Sequence, residues 1–184
     1  SFIDGKNIQK CIVSSVSVIP AFITIWLHQQ KIRLFELDHA TPLPIKNYYE
    51  SKTTIGVDRI ALAVGADHLY PENNKLIIDC GTAITIDFVS AGHVFSGGNI
   101  SPGLAMRFKA LNQYTRQLPL LEKKDIDFDF GNNTHDAILA GVINGIVFEL
   151  NGYIATVKEK YEDIVIILSG GDAFFFDKRL KKPI

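Results

Sequence analysis

The sequence lacks the features that mark secreted, membrane-spanning and nucleic-acid-binding proteins. Its two cysteines, Cys11 and Cys80, lie in apolar strand-like segments and make no disulfide framework, so we expect buried free thiols. Because 20 aspartates and glutamates balance 19 lysines and arginines, no excess charge attracts nucleic acid or an anionic membrane. No apolar run is long enough to cross a bilayer, and the chain opens without a signal-peptide pattern. We therefore expect a cytoplasmic protein that binds neither nucleic acid nor membranes.

What the sequence does contain is enough apolar material for a core. Hydrophobic residues make up 47% of the 184 residues, which suits one domain or two small ones. The first part of the chain predicts two strands, two helices and a long polar loop. The predicted strands are residues 9–19 and 32–37. One short helix begins at Pro20, a second helix covers residues 57–69, and the loop is 38–54.

A second unit begins at residue 75. Residues 75–79, 83–89 and 94–97 alternate with short glycine-containing turns, which predicts an antiparallel meander of three strands. Helices near 102–116 and 134–158 follow, and then a buried strand at 164–168 and a helix start at 172–178. Ser101 and Thr134 are the predicted N-caps, with Pro102 in the first helical position. This order predicts an α/β fold.

The strongest chemical signal is the segment Asp79-Cys80-Gly81-Thr82. An acidic residue at the end of a buried strand comes directly before a Gly-Thr turn. Such a turn offers backbone N–H groups and a hydroxyl to a phosphate, while the carboxylate can hold a cation. The alternative is that Asp79 only satisfies the amides of its own turn.

A second signal is Gly56-Val57-Asp58-Arg59, where the polar loop meets a helix. A carboxylate at the rim of a loop is a candidate general base for a hydroxyl nucleophile. The neighbouring arginine can bind a substrate carboxylate with two parallel hydrogen bonds. The alternative is a helix-capping aspartate beside a surface arginine.

Two glycine-rich segments complete the candidates. Residues 96–103 predict a loop in which the backbone approaches a phosphate or substrate closely, or a connection whose shape needs glycine. Ser169-Gly170-Gly171 follows a predicted parallel strand, and ligands favour the carboxyl ends of such strands. Close packing of a strand and a helix explains these two glycines equally well.

In this order along the chain, the motifs resemble those of the type III pantothenate kinases. The Asp-x-Gly-Thr-Ala element at Asp79 is shared by the wider actin-like kinase superfamily, whereas the linked set is far more specific. The set comprises Ser14-Ser15-Val16, Gly56-Val57-Asp58-Arg59, Asp79-Cys80-Gly81-Thr82-Ala83 with Thr85 and Asp87, Gly97-Gly98-Asn99-Ile100-Ser101-Pro102-Gly103, Asn133-Thr134 and Ser169-Gly170-Gly171.

The resemblance implies an actin-like fold of two ribonuclease-H-like α/β halves with a cleft between them. Residues 1–74 would be the remainder of the first half, and residues 75–184 would be the second. It also implies ATP-dependent phosphorylation of pantothenate to 4′-phosphopantothenate, the first step of coenzyme A biosynthesis. Members of the family are similar in being cytoplasmic homodimers that need Mg²⁺ and a monovalent cation, K⁺ or NH₄⁺.

The resemblance further implies a role for each candidate residue. Asp58 would be the general base on the pantothenate hydroxyl. Asp79 would bind the monovalent cation, and Gly81 and Thr82 would bind ATP. Since phosphoryl transfer is mostly positioning and charge neutralisation, a base, a cation and a phosphate turn make a coherent set. The further pantothenate contacts would be Tyr49, Gly56, Val57, Arg59 and Thr134.

One family motif, an Asp-x-Gly-Asn phosphate loop after a first strand, does not occur in the sequence, and we expect it upstream of Ser1 in a longer protein. Two alternatives stay open. Another actin-like kinase or phosphatase would lack the Gly56–Arg59 element, and a non-catalytic nucleotide-binding regulator would have lost the base at Asp58.

Overall fold

The computed structural model describes residues 7–15 and 18–180 and has a mixed α/β architecture, which confirms the predicted class. The strands are β1 (Lys10–Val13), β2 (Arg33–Glu36), β3 (Lys46–Asn47), β4 (Asn74–Cys80), β5 (Ala83–Val89), β6 (Val94–Pro102) and β7 (Ile164–Ser169). The helices are α1 (Ala21–Gln29), α2 (Val57–Leu69), α3 (Leu104–Tyr114), α4 (Thr134–Lys160) and α5 (Ala173–Asp177). Five strands form one sheet in the order β3-β6-β5-β4-β7, and β1 and β2 form a separate parallel pair.

The middle of the five-stranded sheet is the predicted antiparallel meander of β4, β5 and β6. β7 pairs with β4 in parallel, with Ser169 opposite Asp79. The carboxyl ends of β4 and β7 therefore lie side by side, at the edge where ligands bind in open α/β sheets. β7 is half-buried rather than buried as predicted, because it is the last strand of the sheet.

Alternate residues of β4 face two different helix layers. Leu76, Ile78 and Cys80 are buried in a core with α3, α4 and α5, whereas Ile77 is buried in a second core with α2. Successive side chains of a strand point to opposite faces, so the apolar run of β4 is covered on both sides. Cys80 is buried and free as predicted, whereas Cys11 is free but only half-buried.

Helix α2 packs against the sheet that is formed by the strands that follow it in the chain. Ile60 and Ala63 of α2 share a core with Ile77 of β4 and Val89 of β5. β3 pairs with β6 at the edge of the sheet, so the predicted loop at 38–54 contains a short edge strand. The core of the sheet therefore spans both sides of the division at residues 74 and 75.

The first strand is shorter than the predicted 9–19. β2 offers β1 partners only for residues 10–13, paired with Arg33–Glu36, and pairing ends there. Residues 16 and 17, which include Val16 of the Ser14-Ser15-Val16 motif, lie outside the described residues. α1 begins directly after Pro20, as predicted.

Residues 96–102 of the predicted loop 96–103 belong to strand β6, and only Gly103 lies outside it. β6 pairs with β5 as far as Pro102 opposite Ala83, with an irregularity in register near Phe88. Neither Ser101 as N-cap nor Pro102 as first helical residue is correct, because both are in the strand and Gly103 precedes α3.

The second predicted cap is displaced by one residue. Asn133 caps α4, since its side-chain oxygen accepts a hydrogen bond from the backbone N–H of Asp136, and Thr134 is the first helical residue.

α4 is the one helix among the described residues that is long and apolar enough, by length and composition, to cross a membrane. In the structure its apolar side is buried against the sheet, and Ile143, Ile146 and Leu150 are fully enclosed. Packing in the core thus accounts for the hydropathy of α4.

Candidate active site

The first turn of α2 holds Asp58 at the protein surface. One carboxylate oxygen of Asp58 accepts a hydrogen bond from the backbone N–H of Arg59 at 2.9 Å. A side chain at Gly56 would collide with that oxygen, so glycine leaves room for the carboxylate at the helix start. Asp58 itself is exposed while its neighbours Val57 and Arg59 are buried. An accessible carboxylate in a fixed position is the arrangement that a general base requires.

Arg59 turns inward and forms a buried ion pair with Asp87 of β5. The two residues expose 4% and 2% of their surface. Arg59 Nε donates to Asp87 Oδ2 at 3.0 Å, and Nη2 donates to Asp87 Oδ1. The hydrogen bond with Asp87 raises the pKa of the guanidinium against the opposing effect of burial, so Arg59 stays charged. The ring of Tyr49 lies 5.4 Å from the guanidinium carbon.

Gly97 and Gly98 make room for the partners of Arg59. Gly97 has φ +100°, a conformation that favours glycine, and a Cβ there would lie 3.0 Å from the Tyr49 ring. A Cβ at Gly98 would lie 2.5 Å from Asp87 Oδ1. In the described structure these two glycines lie within β6 and leave space for Tyr49 and Asp87.

Asp79 lies at the end of β4, on the face that carries α2. Burial raises the pKa of its carboxyl group, and the nearby carboxylates of Asp58 and Asp87 raise it further. Thr85 is its neighbour on β5, and the buried Thr85 hydroxyl makes no hydrogen bond within the described residues. Burial and the negative charge of its two neighbours make the ionised form of Asp79 unfavourable, and a bound cation would offset that cost.

The backbone packs tightly around Asp79. Gly170 follows β7 with φ +92°, and a Cβ there would lie 2.6 Å from Asp79 Oδ1. The backbone N–H of Asp172 donates to Cys80 O at 3.0 Å, which ties the glycine turn to the end of β4. Burial raises the pKa of the Cys80 thiol to about 12, so the thiol stays protonated and non-nucleophilic.

The Gly81-Thr82 turn joins β4 to β5 and is partly open to solvent. The backbone N–H of Gly103 donates to Thr82 O at 3.0 Å, and a side chain at Gly103 would collide with the turn. Thr82 itself is exposed. A cavity of about 350 Å³ is lined by Leu104, which follows Gly103 in the chain, and by Phe108, Leu121 and Asp172.

Comparison with known proteins identifies the family. The family model of type III pantothenate kinase matches residues 1–156. The chain is 42% identical to a type III pantothenate kinase of Phocaeicola vulgatus, covering 96% of this chain and 73% of that protein. It is 43% identical to one of Bacteroides fragilis, covering 97% and 73%. The chain belongs to the type III pantothenate kinases.

A solved Campylobacter jejuni protein, described as a conserved candidate transcriptional activator of the Baf family, has a similar structure. Its TM-score is 0.60 at 26% identity, and the alignment covers 98% of this chain and 76% of that one.

Of the residues that the pantothenate kinase motifs single out, the structure brings one group together and leaves one residue apart. Asp58, Arg59 and Asp79 lie on the α2 face of the sheet, with Tyr49 beside Arg59. Thr134 lies in the opposite helix layer, where it lines an apolar groove between α3 and α4.

Two residues next to this candidate site had no predicted role. Asp87 is the ion-pair partner of Arg59, and Thr85 is the hydroxyl opposite Asp79. Both occur in the segment Ile84-Thr85-Ile86-Asp87, which alternates apolar and polar residues on a strand. A carboxylate on the covered face of a central strand needs a partner. From the sequence, that need was the signal that could have identified Asp87.

Proposed function

We infer that the protein transfers a phosphoryl group from ATP to the hydroxyl of pantothenate, the first step of coenzyme A biosynthesis. Membership of the family supports this function. The observation that carries it in the structure is the exposed Asp58 carboxylate, held at the first turn of α2 close to the half-buried Asp79. One carboxylate is free to accept a proton, and the other lies where a cation would offset negative charge.

Asp58 is the proposed general base. The proton of the pantothenate hydroxyl moves to an Asp58 oxygen as the hydroxyl oxygen attacks the γ-phosphorus, and the bond to the β,γ-bridging oxygen breaks to release ADP. Its exposure supports this role, because a substrate hydroxyl can approach within hydrogen-bonding distance. The oxygen that binds the N–H of Arg59 fixes the carboxylate, and the second oxygen is the one proposed to accept the proton.

The proposed pantothenate pocket has the first turn of α2 as its wall. Gly56, Val57 and Arg59 line it beside Asp58, with Tyr49 close to Arg59. A guanidinium binds a carboxylate with two parallel hydrogen bonds, and pantothenate carries one carboxylate.

Gly81 and Thr82 are proposed to bind the ATP phosphates, and the cavity lined by Leu104 and Asp172 is proposed to hold the rest of the nucleotide. Backbone N–H groups and the exposed Thr82 hydroxyl are suitable donors. Asp79 is proposed to hold K⁺ or NH₄⁺. The Thr85 hydroxyl opposite it, which has no hydrogen-bond partner within 7–15 and 18–180, is proposed as a second oxygen for that ion.

No group of three acidic, histidine or cysteine side chains suited to a metal occurs in the residues that the structure describes. A site with few protein ligands fits Mg²⁺ that is carried mainly by the phosphates of ATP, where it offsets their charge.

A homodimer is proposed as the working form. The groove between α3 and α4 is apolar, and Tyr114 at its edge exposes 81% of its surface. Thr134 lies in this groove, so its proposed contact with pantothenate is best supplied across the interface to a second copy. The actin-like pair of ribonuclease-H-like halves, divided at residues 74 and 75, and a cytoplasmic location complete the proposal.

The function is tested by mixing the intact protein with ATP, Mg²⁺, K⁺ and pantothenate. We expect ADP release that depends on pantothenate and a product with the mass of 4′-phosphopantothenate. ADP release without pantothenate would favour another actin-like kinase or phosphatase. ATP binding without turnover would favour a nucleotide-binding regulator, the class closest to the description of the Campylobacter jejuni neighbour.

A further inference from the structure

The ion pair of Arg59 and Asp87 differs in position from the other buried ion pair on the same helix. At the far end of α2, Lys75 Nζ lies 2.6 Å from Asp67 Oδ1, and Lys75 is fully buried. Burial of a charged pair is therefore no mark of function by itself. The Arg59 pair, however, lies at the helix start, next to Asp58 and Tyr49.

Asp87 occupies one edge of the Arg59 guanidinium. Nε donates to Asp87 Oδ2 at 3.0 Å and Nη2 donates to Asp87 Oδ1, so the Nε side faces β5. A guanidinium has five N–H donors in a rigid plane, and the edge formed by Nη1 and the second Nη2 hydrogen points away from Asp87. Among the described residues, no second carboxylate forms an ion pair with Arg59. The side chain of Tyr49 is a second hydrogen-bonding neighbour of the guanidinium. The edge turned away from Asp87 has the donor pattern that binds a carboxylate with two hydrogen bonds.

The surroundings fix this orientation from the other sides. The Tyr49 ring lies 5.4 Å from the guanidinium carbon, where it limits rotation of the plane. Gly98 lets β6 pass close to Asp87, since a Cβ there would lie 2.5 Å from Asp87 Oδ1. Because Asp87 is only 2% exposed on a central strand, it has little freedom to follow a moving arginine.

We propose that Asp87 is a positioning residue for substrate recognition: it holds one edge of Arg59 so that the other edge binds the carboxylate of pantothenate. The inference rests on the proposed function. It assigns the preference for a substrate with a carboxylate to Arg59 as held by Asp87. Two effects of Asp87 oppose each other, because its negative charge repels the substrate carboxylate while its hydrogen bonds orient the arginine. The proposal requires orientation to outweigh repulsion.

The test measures acid recognition in the intact protein with Asp87→Asn. KM and kcat are determined for pantothenate at saturating ATP, and affinity is measured for pantothenyl alcohol, in which a primary alcohol replaces the carboxylate. The alcohol is followed as a substrate or, without turnover, as a competitive inhibitor. We expect the KM for pantothenate to rise about 10-fold to 100-fold, the scale of a lost charge-assisted contact. Affinity for the alcohol and kcat change much less.

Asp67→Asn is the matched control. It removes the charge of the other buried carboxylate that pairs across the α2–sheet interface, and the ion-pair partners of Asp67 are Lys75 and His93, neither of which is a candidate site residue. We expect a lower melting temperature in both variants and an unchanged preference for the acid over the alcohol in Asp67→Asn alone.

Several results would overturn the inference. A KM for pantothenate that is unchanged or lower in Asp87→Asn would mean that repulsion outweighs orientation. An equal loss of affinity for acid and alcohol would mean a purely structural role. If Asp87→Asn yields no folded protein, Asp87→Glu is measured instead. The inference would also be contradicted if Asp87→Glu preferred pantothenate over the alcohol as strongly as the wild type does, or if neither variant folded. A wild-type protein without pantothenate kinase activity would contradict the proposed function itself.

Discussion

At the scale of single residues, Asp58 combines exposure with a fixed position. Asp58→Asn keeps an oxygen that can accept the backbone N–H of Arg59, so the helix start should be preserved. The amide cannot take the substrate proton, and we expect kcat to fall about 10²- to 10⁴-fold. A coupled assay of ADP release with varied pantothenate measures the loss, and circular dichroism checks the fold. A kcat near that of the wild type would remove Asp58 from the role of base.

Asp79 supports a second prediction at this scale. Since burial and two neighbouring carboxylates make its charge unfavourable, a bound cation should offset that cost. We expect Asp79→Asn to raise the K⁺ concentration that gives half-maximal activity, or to abolish the response to K⁺. Thr85→Val is the companion variant. It should weaken the response to K⁺ without loss of stability, because the removed hydroxyl makes no hydrogen bond to any residue that the structure describes. The same K⁺ dependence in Asp79→Asn as in the wild type would contradict the assignment.

The sequence predicted the residue types of the site but not all of their partners. Asp58 and Asp79 could be singled out because each sits beside a glycine turn or a helix start. The pairing of Arg59 with Asp87 could not, since the two residues are 28 positions apart. Their contact depends on how α2 lies on the sheet, which is set by the packing of Ile60 and Ala63 and not by local pattern.

At the scale of elements, local chemistry predicted most helices and strands but misplaced their ends. Ser101-Pro102 has the composition of a helix start, yet backbone pairing with Ala83 and Ile84 keeps it in β6. Asn133, not Thr134, caps α4, although both side chains are suited to the position. Long-range strand pairing thus determines where α3 begins. The start of α4 depends on which of two adjacent residues caps the helix.

α2 is attached to the sheet by ionic groups near both of its ends, and the distal group carries a pH prediction. Burial alone would raise the pKa of Asp67, but hydrogen bonds from Lys75 and His93 outweigh it and lower the pKa below its ordinary value. A carboxylate with a lowered pKa stabilises the fold above its unfolded pKa, and that stability is lost as the pH falls through the folded value.

We therefore expect the free energy of unfolding to drop in the acid range below about pH 4, the ordinary value for aspartate. Asp67→Asn should lower stability at neutral pH and flatten this acid dependence. Urea unfolding at a series of pH values, followed by circular dichroism, measures both effects. An acid dependence as steep in Asp67→Asn as in the wild type would show that other carboxylates are responsible.

At the scale of the whole molecule, the α/β class and the meander were predictable because strand and helix periods are visible in the sequence. The predicted division at residues 74 and 75 came from the family resemblance, whereas packing places α2 and β3 on the sheet formed largely by later residues. Thr134 lies in the helix layer opposite Asp58. This position could not be predicted from the sequence either, since it depends on which face of the sheet α4 covers.

That position carries the last prediction, which concerns assembly. The groove that contains Thr134 also contains Leu118 and the exposed Tyr114, and we expect two copies to meet there. Tyr114→Glu places a charge in this apolar face and should convert a dimer into a monomer, measured by light scattering after size-exclusion chromatography. Phe174→Glu is the control, because Phe174 is 85% exposed but lies outside the groove.

Mixed subunits test whether the interface completes the site. Asp58→Asn and Thr134→Ala are each expected to have low activity alone, the first through kcat and the second through KM for pantothenate. In a mixed dimer, one site combines the intact Asp58 of one subunit with the intact Thr134 of the other. Activity should therefore reappear when the two variants are unfolded and refolded together, and not when they are only refolded separately and pooled. Mixing without recovery, or full activity of a monomeric wild type, would mean that Thr134 acts elsewhere than in the pantothenate pocket.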